Sequence, residues 1–228
     1  MLESTHVTKR YGGKAADDDL TFTISPGHIY GLLGPNGSGK STWMKIASGL
    51  IVPDQGQITL DGVKVGKQTK AHTVYMATED FFYPYMKIRD VERYYRDFFS
   101  DFDTEKFRTL LAELNFDEKM KVTSLSSGMM AKLKIAVTMS RRARVYLLDE
   151  PFNGIDLLAR DAVVKTIIES LTDDCAVIIS SHLIEELEKI VDTCIFLKDG
   201  RLILSGEIEE IRQSQGCSLI ELYKKLYA

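Results

Sequence analysis

The chain has 228 residues, 44% of them hydrophobic and 27% charged, which argues against disorder and for one large domain or two small ones. A formal net charge of −4 leaves no basic surplus, so no nucleic-acid partner is expected. The longest apolar runs, such as "VYLL" and "AVII", fall far short of the roughly 20 residues of a membrane span.

The opening "MLESTHVTKRY" has an early Glu and no apolar core, so it does not read as a signal peptide. Residues 20–24, "LTFTI", alternate and stop at the turn "SPG", as a half-buried strand does. Residues 28–34 read as a short buried strand, and residues 41–49 as a helix ending at Gly49. Between them lies "GPNGSGKS", which fits G-x-x-x-x-G-K-[ST]. In such a loop, Gly34 to Gly39, the glycines let the backbone N–H groups of Asn36, Gly37, Ser38 and Gly39 turn inward onto phosphate oxygens, Pro35 shapes the turn without donating, and the helix N-terminus at Ser41 and Thr42 adds its dipole. Lys40 is expected on the β- and γ-phosphates and the Ser41 hydroxyl on Mg²⁺. Residues 56–62 and 72–76 read as further strands.

From Phe81 the texture becomes helical, over residues 86–99 and 103–116. Phe81, Phe82, Tyr83 and Tyr85 on one side, and Tyr94, Tyr95, Phe98 and Phe99 on the other, make this stretch rich in aromatic rings. Tyr94, Tyr95, Phe98 and Phe99 suit a small core of the insert, Phe81, Phe82, Tyr83 and Tyr85 suit a groove for a partner helix, and both readings can hold for different residues. Next comes "TSLSSGMMAKLKIAV", residues 123–137. Ser126 and Ser127 suit a helix N-cap, and Met130, Leu133, Ala136 and Val137 share a face. Gly128 sits in the first turn, where glycine disfavours helix.

After Arg144 the α/β texture returns. The strand "VYLL" ends in Asp149 and Glu150, placed to hold Mg²⁺ through water and to polarise an attacking water respectively. Residues 158–171 read as a helix, and 176–181 as a buried strand ending at His182. Parallel sheets bind ligands at such strand ends. Residues 183–191 read as a helix, 193–206 as a hairpin turning at Asp199-Gly200, and the tail from Glu207 as helical. Cys175, Cys194 and Cys217 are too dispersed for a redox or zinc pair, so a reduced, cytosolic setting is expected.

The order "YGG", "GPNGSGKST", "LSSGM", "VYLLDEP", "NGID", "SSHL" is similar to that of the ATP-binding cassette (ABC) ATPases along essentially the whole chain. The Ser-Gly signature about twenty residues before "LLDE", and the His some thirty after it, make the combination far more specific than the phosphate loop alone. The resemblance implies an α/β fold: a P-loop NTPase core with a mostly parallel sheet, an N-terminal antiparallel β subdomain, and a helical insert at roughly residues 81–143 of one domain spanning 1–228. It implies ATP and Mg²⁺ as ligands, with Lys40, Glu150 and His182 catalytic. Tyr11 would stack on adenine, Asp156 would lie on a loop crossing a dimer interface, and Ser126, Ser127 and Gly128 would meet ATP held by a second cassette, of the same or a different chain. It further implies an integral-membrane transporter subunit as partner, and hence a place on the cytoplasmic face of the membrane.

Three departures stand out. Ser127 and Met129 replace a glycine and a glutamine of the usual signature, a form resembling that of bacterial exporter cassettes. Where the family usually has a Mg²⁺-sensing glutamine, the chain offers Thr78 or Glu79. The insert is short, and no appended regulatory domain is expected after the last hairpin. Non-transport cassettes with long coiled coils fit poorly, since only 86 positions separate Lys40 from Ser126 without sustained heptads.

Overall fold

The computed structural model describes residues 1–227, and the side chains of all of these except residues 158 and 159. A hairpin of β1 (Leu2–Tyr11) and β2 (Lys14–Ile24) opens the chain. With β4 (Gln55–Leu60) and β5 (Val63–Lys64) it makes an antiparallel sheet in the order β2-β1-β4-β5. The second sheet has six strands in the order β10-β9-β3-β8-β7-β6. These are β3 (Ile29–Leu33), β6 (Thr73–Met76), β7 (Val145–Asp149), β8 (Ala176–Ser181), β9 (Thr193–Lys198) and β10 (Arg201–Glu207). All neighbours in it are parallel except the β9–β10 hairpin. Burial follows from this: β3, β7 and β8 are buried at every residue, whereas the edge strand β10 alternates.

Helix α1 (Lys40–Ala47) packs between the sheets. Its Trp43 is fully buried, 4.9 Å from the Phe22 ring, and its indole N–H donates to Ser4 Oγ at 3.3 Å. This core also takes in Leu20, Ile58, Leu147 and Ile178. The opposite face of the large sheet packs on α2 (Ile88–Phe98), α3 (Thr104–Glu113) and α4 (Ser127–Met139), which all lie between β6 and β7. Phe107, Leu133, Leu148 and Ile179 belong to one continuous cluster, so the helical insert shares its core with the sheet. The chain is completed by α5 (Leu157–Ser170), α6 (Ile184–Leu187), α7 (Ile208–Gln215) and α8 (Leu219–Tyr227).

Two expectations change. Residues 183–191 form only the single turn α6, followed by tight turns, because Asp192 is drawn into the sheet. Its carboxylate accepts from Ile29 N at 2.9 Å and its N–H donates to Ile29 O at 2.9 Å. Strand β1, unmarked in the sequence, breaks its alternation at His6, where φ is 51° and the register shifts.

Candidate nucleotide site

The phosphate loop leaves β3 at Gly34 and enters α1 through Gly39, the N-cap, at φ 108°. A Cβ at Gly39 would collide with the Asp17 carboxylate and the Ala16 carbonyl, so only glycine lets β2 approach this closely. The α1 N-terminus carries no acidic side chain in its first turn, leaving its dipole free for an anion. Lys40 is 6% exposed and folds back to donate to Gly34 O at 2.7 Å and Pro35 O at 3.1 Å. Burial pulls its ammonium below the usual lysine range, and the Glu150 and Asp149 carboxylates oppose that pull.

The parallel register brings β7 and β8 together so that Asp149 faces Ser180. Asp149 is almost fully buried, and three hydroxyls donate to its carboxylate: Ser180 at 2.6 Å, Ser41 at 3.0 Å and Tyr75 at 3.0 Å. Burial, together with the Asp149 charge, pushes the Tyr75 hydroxyl well above the usual tyrosine range. Glu150 adopts φ 50°. Its N–H donates to both Ser180 O at 3.1 Å and Ser180 Oγ at 3.0 Å, which offsets the strained backbone. Its carboxylate Oε2 lies 2.8 Å from His182 Nδ1. The Thr78 hydroxyl donates to Asp149 O at 3.3 Å.

Lys40, Thr78, Glu150 and His182 border one cleft of about 410 Å³ together with Asn36 and Thr42, while Asp149, Tyr75 and Ser180 are not in its lining. Gly37, Gly39 and Ser41 border it too, as does Asn153, which the sequence had not marked. Gly34, Pro35 and Ser38 do not border it; the Ser38 hydroxyl is buried without a hydrogen-bond partner among the described residues. Tyr75 and Ser180 also went unmarked. Ser180 lies one residue short of the end of its buried strand and, like Tyr75, joins the site only through the sheet register.

Other candidates fall elsewhere. Tyr11 is half-exposed at the β1–β2 turn, with Lys9 Nζ 5.7 Å over its ring; from that hairpin it is Ala16 that borders the cleft. Glu79 is exposed and borders no part of it, so of the two alternatives Thr78 is the one that does. Ser126 N-caps α4, accepting from Met129 N at 3.2 Å, and both Ser126 and Ser127 are exposed while Gly128 is buried. Ser126 and Ser127 border a neighbouring cleft that shares Thr78, Glu150 and Asn153 with the first but none of the phosphate-loop residues. Asp156 is exposed just ahead of α5, its carbonyl accepting from Arg160 N at 3.0 Å.

The aromatic segment has both buried and groove-lining rings, but not along the expected division of residues. Phe82 is buried, Tyr83 and Tyr85 stack on the surface with centroids 5.5 Å apart, and Phe98 is exposed. Phe81, Tyr95 and Phe99 line a groove with Leu50, Tyr75 and Arg141. The Arg141 guanidinium lies 3.8 Å over the Phe99 ring and is fixed by Asp101 at 2.8 Å. Among the described residues, no helix is long and apolar enough to cross a membrane.

A family model described as ABC transporter matches residues 18–153. The ABC transporter ATP-binding protein YtrB of Bacillus subtilis (strain 168) is 30% identical over 216 residues, 93% of this chain and 74% of its own. The Nod factor export ATP-binding protein I of Rhizobium etli is 32% identical over 232 residues, covering 97% of this chain and 73% of its own. A solved ATP-binding subunit of an ABC transporter superposes with TM-score 0.89 at 26% identity, over 99% of both chains.

Proposed function

We propose, for a chain that belongs to the ABC transporter family, that two copies close head-to-tail on ATP and drive export through an integral-membrane partner. The observation that carries the ATPase reading is the pairing of Glu150 with His182 beside the phosphate loop, at 2.8 Å. Loop N–H groups and Lys40 bind the phosphates, Lys40 trading its carbonyl partners for phosphate oxygens. Glu150 accepts the proton of a water that attacks the γ-phosphorus as the bond to the bridging oxygen breaks and ADP leaves. His182 fixes the Glu150 carboxylate and offers its ring to the charge developing on the phosphoryl group.

Mg²⁺ fits this site: Ser41 and Asp149 offer hard oxygen donors 3.0 Å apart beside the loop, and these two residues would hold it. When bound, the ion neutralises phosphate charge. Thr78 is assigned to the usual glutamine position, since it borders the cleft and its hydroxyl donates to the Asp149 backbone carbonyl.

Ser126 and Gly128 are assigned to the partner's nucleotide. Support comes from the exposed cap of α4, which borders a cleft containing no phosphate-loop residue of its own chain. Tyr11 is assigned to adenine and Asp156 to the dimer contact. The membrane partner is assigned to the groove at Phe81, Tyr95 and Phe99, an apolar concavity beside Asp149's neighbour Tyr75. This would hold the chain on the cytoplasmic face. Export is favoured by the name of the Rhizobium relative and by the Leu125–Met129 form of the signature.

Steady-state turnover with ATP tests the reading. Glu150→Gln should retain ATP binding and lose at least about 100-fold in turnover, the weight of a general base. Unchanged turnover would remove Glu150 from the mechanism.

A further inference from the structure

Two turns after the Ser126 cap, α4 carries Lys134, a lysine only 6% exposed. A buried ammonium is costly unless its N–H groups are satisfied. Here it donates to Thr78 O at 2.8 Å and to Glu79 O at 3.0 Å, and it sits 5.3 Å from the Phe81 ring centroid. Burial draws it below the usual lysine range, against the pull of Asp80, Glu79 and Asp149.

These contacts put one side chain at the meeting of three parts. The first is α4, whose N-cap presents Ser126. The second is the exposed loop leaving β6, whose Thr78 hydroxyl reaches Asp149. The third is Phe81 in the wall of the apolar groove. A lysine needed only to fill space would be replaced at less cost by an apolar side chain. The ammonium instead grips two backbone carbonyls of a loop that is otherwise solvent-facing, and so fixes that loop against the helix.

We propose that Lys134 is a positioning residue: it ties the signature helix to the Thr78–Glu79 loop, so that the reach of Ser126 onto a partner's ATP depends on the state of the loop at Asp149. This rests on the head-to-tail reading above. The movement it governs is that of α4 relative to the large sheet, and Phe81 exposes the same junction to whatever fills the groove.

The test uses Glu150→Gln as background, with ATP affinity of dilute protein and ATP-dependent dimerisation measured separately. Lys134→Met in that background should bind ATP within about twofold of the parent and dimerise about tenfold more weakly, the weight of a charge-assisted hydrogen bond. Lys134→Arg, which can still donate to both carbonyls, should restore most of the dimerisation. Should Lys134→Met not fold, Lys134→Gln carries the same expectations. Dimerisation equal to the parent would overturn the inference, as would an equal loss of ATP affinity and dimerisation, which marks general damage to the fold. If Glu150→Gln itself stays monomeric in ATP, the head-to-tail reading fails first and takes the inference with it.

Discussion

Asp17 stands where β2 turns a side chain into the core. It is fully buried, and neither carboxylate oxygen has a hydrogen-bond partner among the described residues. The cations around it are engaged elsewhere: Lys9 with Asp54, Arg10 and Arg201 with Asp18, and Lys40 with the loop carbonyls. Burial therefore pushes its carboxyl from 3.8 to about 8. The folded state holds this proton through a range in which the unfolded chain has lost it. Stability consequently falls as pH rises from about 4 towards 8, and the cost levels off beyond that. Calorimetric melting of Asp17→Asn from pH 5 to pH 8 should show a gain over the parent that grows with pH, reaching several kcal/mol by linkage. A pH-independent difference would mean that Asp17 is paired or solvated. Lys40 and Ser41 sit in one short motif, and Asp149, Glu150 and His182 mark the ends of apolar strands, so all were legible. Tyr75 and Ser180 reach Asp149 only through strand pairing, which no local pattern reports.

At the scale of elements, α4 was legible for local reasons. Its cap Ser126 and its apolar positions lie within thirteen residues of chain, and the structure begins the helix at Ser127. The β9–β10 turn was legible too, because Asp199 and Gly200 both take positive φ, 51° and 78°. Residues 183–191 look as helical as α4 does, but the tertiary hold of Ile29 on Asp192 stops them after one turn. Leu133 sits at the centre of α4, fully buried in the cluster that joins the insert to the sheet. Leu133→Ala should cost about 2–5 kcal/mol in a denaturant titration, and because the core is shared it should lower one cooperative transition rather than unfold the insert alone. A separate early transition from the insert would contradict a shared core.

For the whole molecule, the arrangement of the two clefts matters most. One cleft gathers the phosphate loop, Glu150 and His182, while the other carries Ser126 and Ser127 and lacks the loop. A single chain thus presents two clefts side by side, and in the proposed head-to-tail pair each would be completed by the other copy. The family and fold could be anticipated from the motif order, but the adjacency of the clefts could not, because it depends on how the insert leans on the sheet. Mixing two inactive variants tests directly whether two copies complement one another. Lys40→Ala disables the loop and Ser126→Glu sets a charge against the γ-phosphate, so each alone should be almost inactive. Mixed, they form pairs in which the intact loop of one copy meets the intact signature of the other, and ATP turnover should rise well above the sum of the separate rates. A mixture no more active than that sum would contradict a site shared between two chains.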